Sequence, residues 1–375
     1  MQKSFTFFLF VVLSATPVLA QDTLRRFLTS DLQVIKNPEN ASFSVDIIKK
    51  DELWEAIIYY ANGKLAGTGT FKNKKLETRH GKFISYYSAT GRKMYEAYYD
   101  NGLVKGPWQS WYENGKKKDS GLMYDTKKNG YWVTWHFNGN KASEGAYRDF
   151  TTMKIPESPM VRGSKEDIHT QVLLSLRYMA DVKTGVWNTW YENGQQKEYA
   201  TYNEDGKQNG LAKTWYANGN LESAGVYNNG VFTGRWDWFH PNGAKATVEE
   251  YKEGKITDLQ CFDTQGNSTG PLCSIDRKAM YPGGPAAFDQ YIDKNQQYPD
   301  VPGKPEGYVE LKLRIDTNGK PTVMFINQST HLYFTREANR LIHSMPAWEP
   351  ALAHNRPVCS EVTVWCRFKP PKKRR

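Results

Sequence analysis

A glycine recurs along most of the chain at intervals of 23 to 25 residues, with one longer interval of 55. In five of the units a second glycine stands nine residues earlier. The glycines of the main series are Gly91, Gly115, Gly139, Gly194, Gly219, Gly243 and Gly266. A fixed period of this length is typical of proteins in which each unit packs only on its neighbours. The sequence therefore predicts an array of similar units.

Aromatic residues stand at fixed distances from the earlier glycine of each unit. In four units a tryptophan stands two residues after the earlier glycine. In four units a tryptophan stands five residues after it. These tryptophans are Trp108, Trp132, Trp187 and Trp236 at the first distance, and Trp111, Trp135, Trp190 and Trp215 at the second. An Asn-Gly pair follows, and it favours the positive φ angles of a two-residue hairpin turn. Each unit is thus predicted to be strand, tight turn, strand.

One such hairpin cannot bury its own aromatic face, so neighbouring hairpins must stack to form a core. We therefore expect a mainly β protein with an elongated array of stacked antiparallel hairpins. Residues 21–53 lack the glycine period but contain short alternating runs, which predict capping strands. The eight tryptophans are core residues if the hairpins bury them. They are binding residues if they line an open groove.

The glycine and aromatic pattern resembles the MORN repeat variant, which is also found in the YwqK family of presumed antitoxins. The similarity covers about residues 54–266, and we assign the repeat array to residues 54–275. In that family the repeats serve as interaction surfaces and share no common chemistry. The resemblance therefore implies a fold and a general role in binding.

The long interval equals one repeat plus about 31 residues, which indicates an insertion at about residues 150–175. Ile168, Val172, Leu176 and Met179 fall at helical spacing. Residues 174–178 also fit a repeat strand placed before Gly185. Both interpretations of residues 165–180 stay open.

After Cys273 the period stops and a small α+β domain is predicted at residues 276–370, followed by a basic tail at 371–375. Residues 284–296 have a helical pattern, and residues 309–316 alternate between apolar and charged side chains. A hairpin turn at 317–320, a strand at 323–327, a helix at 334–344 and a strand at 358–368 complete the domain.

This domain is similar to the C-terminal domain of TonB, a periplasmic energy transducer. The blocks that carry the similarity are NQQYP at 295–299, EGYVELKLRIDTNGK at 306–320, FTREANRLIHSMPAWEP at 334–350 and VTVWCRFK at 362–369. The TonB domain captures an extended peptide of an outer-membrane transporter as an added strand. The resemblance implies a peptide-binding site at Gln297, Tyr298, Pro299, Val362, Val364 and Cys366.

Two features separate this chain from a true transducer. TonB keeps an inner-membrane anchor and a long proline-rich span, whereas residues 1–20 here have the charged start, apolar run and small-residue end of a cleavable signal peptide. If that segment stayed uncleaved, an accessory role in TonB-dependent transport would follow. We expect cleavage after Ala20 and export to the periplasm or beyond.

Export favours disulfides over metal thiolates among the four cysteines. Cys261 and Cys273 flank a turn-rich stretch and are the predicted pair. Cys359 and Cys366 are placed on one strand, too far apart to bond to each other.

The chain of 375 residues has a formal charge of +10, which we attribute to a solvated surface. No nucleic-acid partner is expected for an exported protein, although peripheral contact with a membrane is compatible with the charge. The seven histidines lack metal-binding spacing, and no nucleophile elbow or phosphate loop is present. We predict no enzyme activity, no catalytic residue, no metal and no cofactor.

The sequence therefore favours a non-enzymatic binding or scaffold protein of the bacterial envelope. Its repeats would contact one protein, and its C-terminal domain would capture an extended peptide, for example from an outer-membrane transporter. The alternatives are a glycan- or cell-wall-binding protein whose tryptophans stack on sugar rings, and an accessory component of TonB-dependent transport.

Overall fold

The structure of the protein is a computed structural model. It describes residues 23–30, 33–149, 181–271, 273 and 276–371. The predicted signal peptide, the predicted insertion with its helix or strand, and residues 372–375 lie outside the described residues. The chain forms two compact units, Met1–Lys183 and Thr184–Arg375.

The first unit is an antiparallel meander. From β3 to β11 each strand pairs with the next one, while β1 pairs with β2 and β3. A 3₁₀ turn lies at Pro38–Asn40. The strands are β1 (Leu24–Leu28), β2 (Val34–Ile35), β3 (Phe43–Lys50), β4 (Leu53–Tyr60), β5 (Leu65–Phe71), β6 (Arg79–Tyr86), β7 (Lys93–Asp100), β8 (Leu103–Trp111), β9 (Lys117–Tyr124), β10 (Lys127–Trp135) and β11 (Lys141–Tyr147).

The N-terminal strands form a small apolar core with the first hairpins. Val45 and Ile47 of β3 are fully buried, and Phe71 and Phe83 pack in the same cluster. On the other side of the same strands, Arg25 forms two hydrogen bonds with the Asp46 carboxylate, at 2.6 and 2.7 Å. Residues 23–50 thus supply strands that cover the first repeat hairpin.

The Asn-Gly turns differ from the predicted two-residue form. In the turn after β8, the Gly115 N–H donates to the Tyr112 carbonyl, and only Gly115 has a positive φ, of 86°. The strand register shifts between Ser110 and Trp111, which identifies a longer hairpin loop with a glycine bulge. The asparagine keeps an ordinary φ because its side chain accepts a hydrogen bond from the Lys116 N–H, at 2.9 Å.

Two-residue turns lie at the opposite ends of the strands. Asn101 and Gly102, between β7 and β8, both have positive φ, of 51° and 85°. This conformation matches the twist of the flanking strands. The earlier glycine of each unit lies inside a strand instead, where Gly130 has a φ of 61° and the pairing of β10 with β9 is irregular. Two turn types and a strand bulge therefore explain both glycine series.

The tryptophan two residues after the earlier glycine packs across the neighbouring strand. Trp132 is 2% exposed, and its indole N–H donates to the Leu122 carbonyl, at 2.9 Å. A Cβ at Gly121 would lie 2.3 Å from the Trp132 ring, so only glycine leaves room for the indole. In the second unit, Trp236 lies over Gly225 in the same way.

Side chains of each hairpin bond to the backbone of the next. The hydroxyl of Tyr112 donates to the carbonyl of Trp135, at 2.8 Å, and the amide of Asn114 donates to the carbonyl of Phe137, at 2.9 Å. The other tyrosine bonds of this kind join Tyr60 to Tyr86, Tyr87 to Trp111, Tyr191 to Trp215 and Tyr216 to Phe239. The other asparagine bonds join Asn193 to Ala217, Asn218 to Pro241 and Asn242 to Thr264.

The second unit continues the hairpin pattern and ends it with a disulfide bond. Each strand from β12 to β19 pairs antiparallel with the next. Cys261 of β18 is bonded to Cys273 and is fully buried. The strands are β12 (Lys183–Trp190), β13 (Gln196–Tyr202), β14 (Gln208–Trp215), β15 (Leu221–Asn228), β16 (Val231–Phe239), β17 (Lys245–Lys252), β18 (Lys255–Phe262) and β19 (Ser268–Gly270).

A small α+β domain follows in the same unit. Its main sheet has the order β22, β21, β25, and a second sheet has the order β20, β23, β24. The elements are β20 (Asp276–Arg277), α1 (Gly284–Asn295), β21 (Gly307–Ile315), β22 (Pro321–Ser329), α2 (Leu332–His343), β23 (Ala351–Ala353), β24 (Arg356–Val358) and β25 (Ser360–Phe368). The predicted fold class, mainly β with hairpin repeats and a C-terminal α+β domain, is confirmed.

The core of this domain follows the predicted alternation. Every second residue of β21 from Val309 to Ile315 is fully buried, and Phe334 of α2 stacks on Phe368 of β25 with ring centroids 4.6 Å apart. Cys366 is buried in this core as a free thiol. Cys359 is exposed and lies between β24 and β25, so the single strand predicted at 358–368 is broken there.

Replacing Tyr112 by phenylalanine removes one bond between hairpins and leaves the Trp135 carbonyl without that donor. We expect the free energy of unfolding to fall by about 1 kcal/mol. Urea unfolding of the full chain measures the change. Tyr98, which is 38% exposed, is the matched position for a Tyr→Phe control. Equal midpoints for both variants would show that the bonds between hairpins add no stability.

Candidate functional site

A groove of about 650 Å³ runs along one side of β25 in the C-terminal domain. Val362, Thr363, Val364 and Trp365 all line it, although successive residues of a strand point to opposite faces. A groove that contacts all four residues must follow the edge of the strand. Of the described strands, only β21 pairs with β25. The groove, called the edge groove below, therefore lies beside an unpaired strand edge.

The floor of the edge groove is apolar, and its two rims are polar. The buried floor residues are Tyr281, Phe288, Ile292, Trp348 and Val364. Asp289 and Asp293 of α1 stand on one rim, and Arg367 and Lys369 stand on the other. An apolar floor with a few polar groups is typical of a binding site.

The turn between β21 and β22 fixes one wall of the edge groove. The Trp348 N–H donates to the Gly319 carbonyl, at 2.8 Å. A Cβ at Gly319 would lie 1.9 Å from the Trp348 carbonyl oxygen, and the glycine has a φ of 82°. Only glycine permits this close approach. The predicted hairpin turn at 317–320 thus also positions an aromatic wall residue.

The structure separates the predicted peptide-binding residues. All three strand residues face the domain core, but only Val362 and Val364 also line the edge groove, and Cys366 does not. The remaining three predicted residues are not among the lining residues. The Gln297 N–H donates to the Glu337 carboxylate, at 2.7 Å, and the Tyr298 hydroxyl donates to the Pro305 carbonyl, at 2.6 Å. These contacts brace the connection between α1 and β21, and Pro299 lies in the same connection.

The repeat tryptophans fall into two groups. Trp132, Trp187 and Trp236 are buried, and Trp108 is half-buried and stacks on Tyr95 with ring centroids 5.2 Å apart. The tryptophans five residues after the earlier glycine are half-buried, and they are Trp111, Trp135, Trp190 and Trp215. The ammonium groups of Lys93 and Lys117 lie 5.5 Å from the rings of Trp111 and Trp135. In Trp111 and Trp135 a lysine side chain therefore covers one ring face on which a sugar would stack.

Each unit also exposes apolar residues on the sheet face opposite the buried tryptophans. In the first unit Leu122 is 47% exposed and Tyr131 is 58% exposed. In the second unit Leu211 and Val226 are direct cross-strand partners, and both are exposed. We call each set an outer stripe. Large contiguous apolar patches mark interaction surfaces, so the outer stripes are candidate contact surfaces.

A buried carboxylate joins the last repeats to the C-terminal domain. Glu249 of β17 is fully buried and accepts hydrogen bonds from Thr247, Tyr251 and the Trp238 indole, at 2.7, 2.6 and 3.1 Å. The fourth donor is Nδ1 of His354, at 2.9 Å, from the β23–β24 turn. The His354 ring stacks on Trp238 with centroids 3.6 Å apart.

The electrostatics of this junction favour the ionised carboxylate. Burial raises the pKa of Glu249, but the hydrogen bonds from His354, Tyr251 and Thr247 outweigh burial and hold the pKa below its ordinary value. Nearby, the Arg356 guanidinium pairs with Glu222 at 3.0 Å.

Arg356 and Asn355 extend the junction to two more repeats. Arg356 also donates to the Tyr216 hydroxyl, at 3.0 Å, and lies 4.8 Å from the centre of the Trp238 ring. The Asn355 amide donates to the carbonyl of Phe262, at 3.0 Å, a position that a repeat tyrosine would occupy in the array. Sequence reasoning missed this junction, because His354, Asn355 and Arg356 form no recognisable motif.

Two segments of the chain match the MORN repeat variant, residues 55–73 and residues 208–229. They coincide with the hairpins β4–β5 and β14–β15, so the chain contains MORN-type repeats in both units. Such repeats are in general protein- or membrane-interaction modules. No curated protein matches the chain.

The described residues contain neither a candidate membrane span nor a candidate metal cluster. No helix there is long and apolar enough to cross a membrane. The same part of the chain contains no group of three or more His, Cys, Asp or Glu side chains placed to hold a metal ion.

Replacing Glu249 by glutamine should lower the free energy of unfolding by about 3 kcal/mol at neutral pH, since it removes one partner of a buried charged cluster. Because the folded-state pKa of Glu249 is lowered, its contribution is present above the ordinary glutamate pKa of ~4.3 and is lost as the pH falls through the folded value. Denaturant unfolding at several pH values measures both effects.

Glu250 on the same strand is half-buried and supplies the matched Glu→Gln control. The difference in stability between wild type and Glu249→Gln should shrink on acidification, while the control stays constant. A difference that does not change with pH would contradict the assigned ionisation of Glu249.

Proposed function

We propose that the protein is a non-enzymatic binding protein of the bacterial envelope. Its C-terminal domain captures an extended peptide by strand addition to β25, and its repeats contact a protein partner. The observation that carries the proposal is the edge groove, which follows an unpaired strand edge over an apolar floor.

Strand addition suits the geometry of the edge groove. An edge strand offers alternate N–H and C=O groups to a new strand, and these bonds tolerate changes in the peptide sequence. The side chains of the added strand then enter pockets on alternate faces. Phe288, Ile292 and Trp348 supply an apolar pocket on the α1 side of the sheet.

The outer stripes support the second part of the proposal. MORN repeats are interaction repeats in general, and the outer stripes are the exposed apolar surfaces that these hairpins offer. The lysine-covered rings of Trp111 and Trp135 favour a protein partner over a glycan partner. An outer-membrane transporter would be one source of the captured peptide.

Export is the third part of the proposal. Residues 1–20 carry a charged start, an apolar run and the small-residue end Val18-Leu19-Ala20, which together support cleavage by a signal peptidase. The disulfide between Cys261 and Cys273 suits an oxidising compartment.

A seven-residue peptide of alternating threonine and valine tests strand addition. Titration of the full-length protein should give saturable binding, measured by calorimetry. Methylating the backbone nitrogens of alternate residues should abolish binding in one of the two possible patterns, because only every second N–H of an added strand faces β25. Equal binding of both methylated peptides would contradict strand addition.

A pair of protein variants locates the peptide. Trp365→Ala removes a side chain of the edge groove that is 44% exposed, and we expect weaker binding of the same peptide. Phe325→Ala on β22 removes a side chain that is 51% exposed and does not line the groove, so it is the control. Equal losses from both variants would place the peptide elsewhere.

N-terminal sequencing of the protein recovered from the envelope of the producing bacterium tests export. The mature chain should begin at Gln21. A chain that retains residues 1–20 in the membrane fraction would instead support the accessory role in TonB-dependent transport.

A further inference from the structure

The rims of the edge groove carry four exposed charges that have no ion-pair partner among the described residues. Asp289 and Asp293 stand on the α1 rim, and Arg367 and Lys369 stand on the β25 rim. No ion pair within 4.0 Å joins the two rims in the described chain. The groove therefore keeps opposite charges apart, and an occupant can reach both sets.

The α1 rim favours a basic group. Asp289 and Asp293 are four residues apart, so their carboxylates lie on the same side of the helix and repel each other. A single ammonium or guanidinium group placed beside them would remove that repulsion. Lys294, the nearest basic residue along the helix, does not line the groove.

The direction of side chains on β25 assigns the charges to two faces of an added strand. Val362 and Val364 point toward the domain core, whereas Thr363, Trp365 and Arg367 point to the opposite face and are exposed. Side chains of an added strand follow the same alternation, about 5 Å from their neighbours. Those on the α1 side meet the apolar floor and the two aspartates, and those on the other face meet Trp365 and Arg367.

Two buried polar atoms of groove residues have no hydrogen-bond partner in the described chain. Trp348 is 7% exposed, and its indole N–H has no hydrogen-bond acceptor in the described chain. The side-chain oxygen of Gln296, another lining residue, has no donor there. Unsatisfied buried groups are rare in proteins and call for an explanation. Both atoms are closed to solvent, so groove side chains must shift before an occupant can bond to them.

We infer that the edge groove selects an extended peptide with two different faces: a basic residue next to apolar residues on the face toward α1, and an acidic residue opposite Arg367 on the other face. This inference rests on the proposed strand addition and adds the chemistry of the peptide. Apolar residues fill the floor, the basic side chain lies between Asp289 and Asp293, and the acidic side chain pairs with Arg367.

Three peptides of equal length test the selection. The matched peptide is Thr-Val-Glu-Lys-Thr-Val-Thr, whose valines and lysine share one face and whose glutamate lies on the other. The exchanged peptide is Thr-Val-Lys-Glu-Thr-Val-Thr, which has the same composition with the two charges on the wrong faces. The neutral peptide alternates threonine and valine. We expect the matched peptide to bind the full-length protein about tenfold more tightly than the exchanged peptide.

Protein variants test whether the two aspartates of the α1 rim cause the preference for the matched peptide. Asp289→Asn combined with Asp293→Asn should reduce the tenfold preference to about twofold, the remainder coming from Arg367. Asp300→Asn, an exposed position in the same domain that does not line the groove, is the control and should keep the full preference. Raising the salt concentration should weaken binding of the matched peptide more than that of the neutral peptide.

The outcomes separate this inference from the proposed function. If all three peptides bind with equal affinity, strand addition stands and the charge selection is wrong. If none of them binds, strand addition at β25 is itself wrong. A preference that survives in the double aspartate variant would also overturn the selection by α1.

Discussion

The hydrogen bonds that pass from one hairpin to the next set the geometry on which both units depend. A tyrosine hydroxyl, as in Tyr112, and an asparagine amide, as in Asn114, each reach a backbone carbonyl 23 residues further along the chain. The equivalent bonds span 22 residues from Asn242 to Thr264 and 26 residues from Tyr60 to Tyr86, so they join corresponding positions of consecutive hairpins while the length of the unit varies slightly. Together with the packing of Trp132 and Trp236 over glycines of the neighbouring strand, these bonds couple each hairpin to the next.

The same constraint produces the two faces of the sheet. Once the register is fixed, Trp132 and Trp236 fall over glycines of the neighbouring strand, and a larger residue at Gly121 or Gly225 would collide with the indole. The residues next to these tryptophans must then point outward. The outward position of the outer stripes is therefore a consequence of the core packing.

The sequence predicted the features that are local and repeated. The strands, the loops and the small C-terminal domain could be predicted from glycine spacing and alternation. The type of the Asn-Gly turn could not, because the asparagine side chain bonds to the neighbouring backbone and keeps an ordinary φ. The junction between the last repeats and the C-terminal domain was missed for another reason.

Glu249 and His354 are 105 residues apart in the sequence, and only the fold shows that they meet. The edge groove was half predicted: Val362 and Val364 line it, while the role of α1 depends on packing between distant segments.

The junction and the edge groove share one short piece of chain. The turn that carries His354, Asn355 and Arg356 lies between β23 and β24, and β24 leads directly to β25 through Cys359. A buried carboxylate, an ion pair and a stacked ring hold that turn on the last repeats. Under the proposed strand addition, a peptide at β25 would lie within a few residues of the turn that contacts these repeats. The junction thus connects the proposed peptide site to the repeats of the second unit through one short segment of the chain.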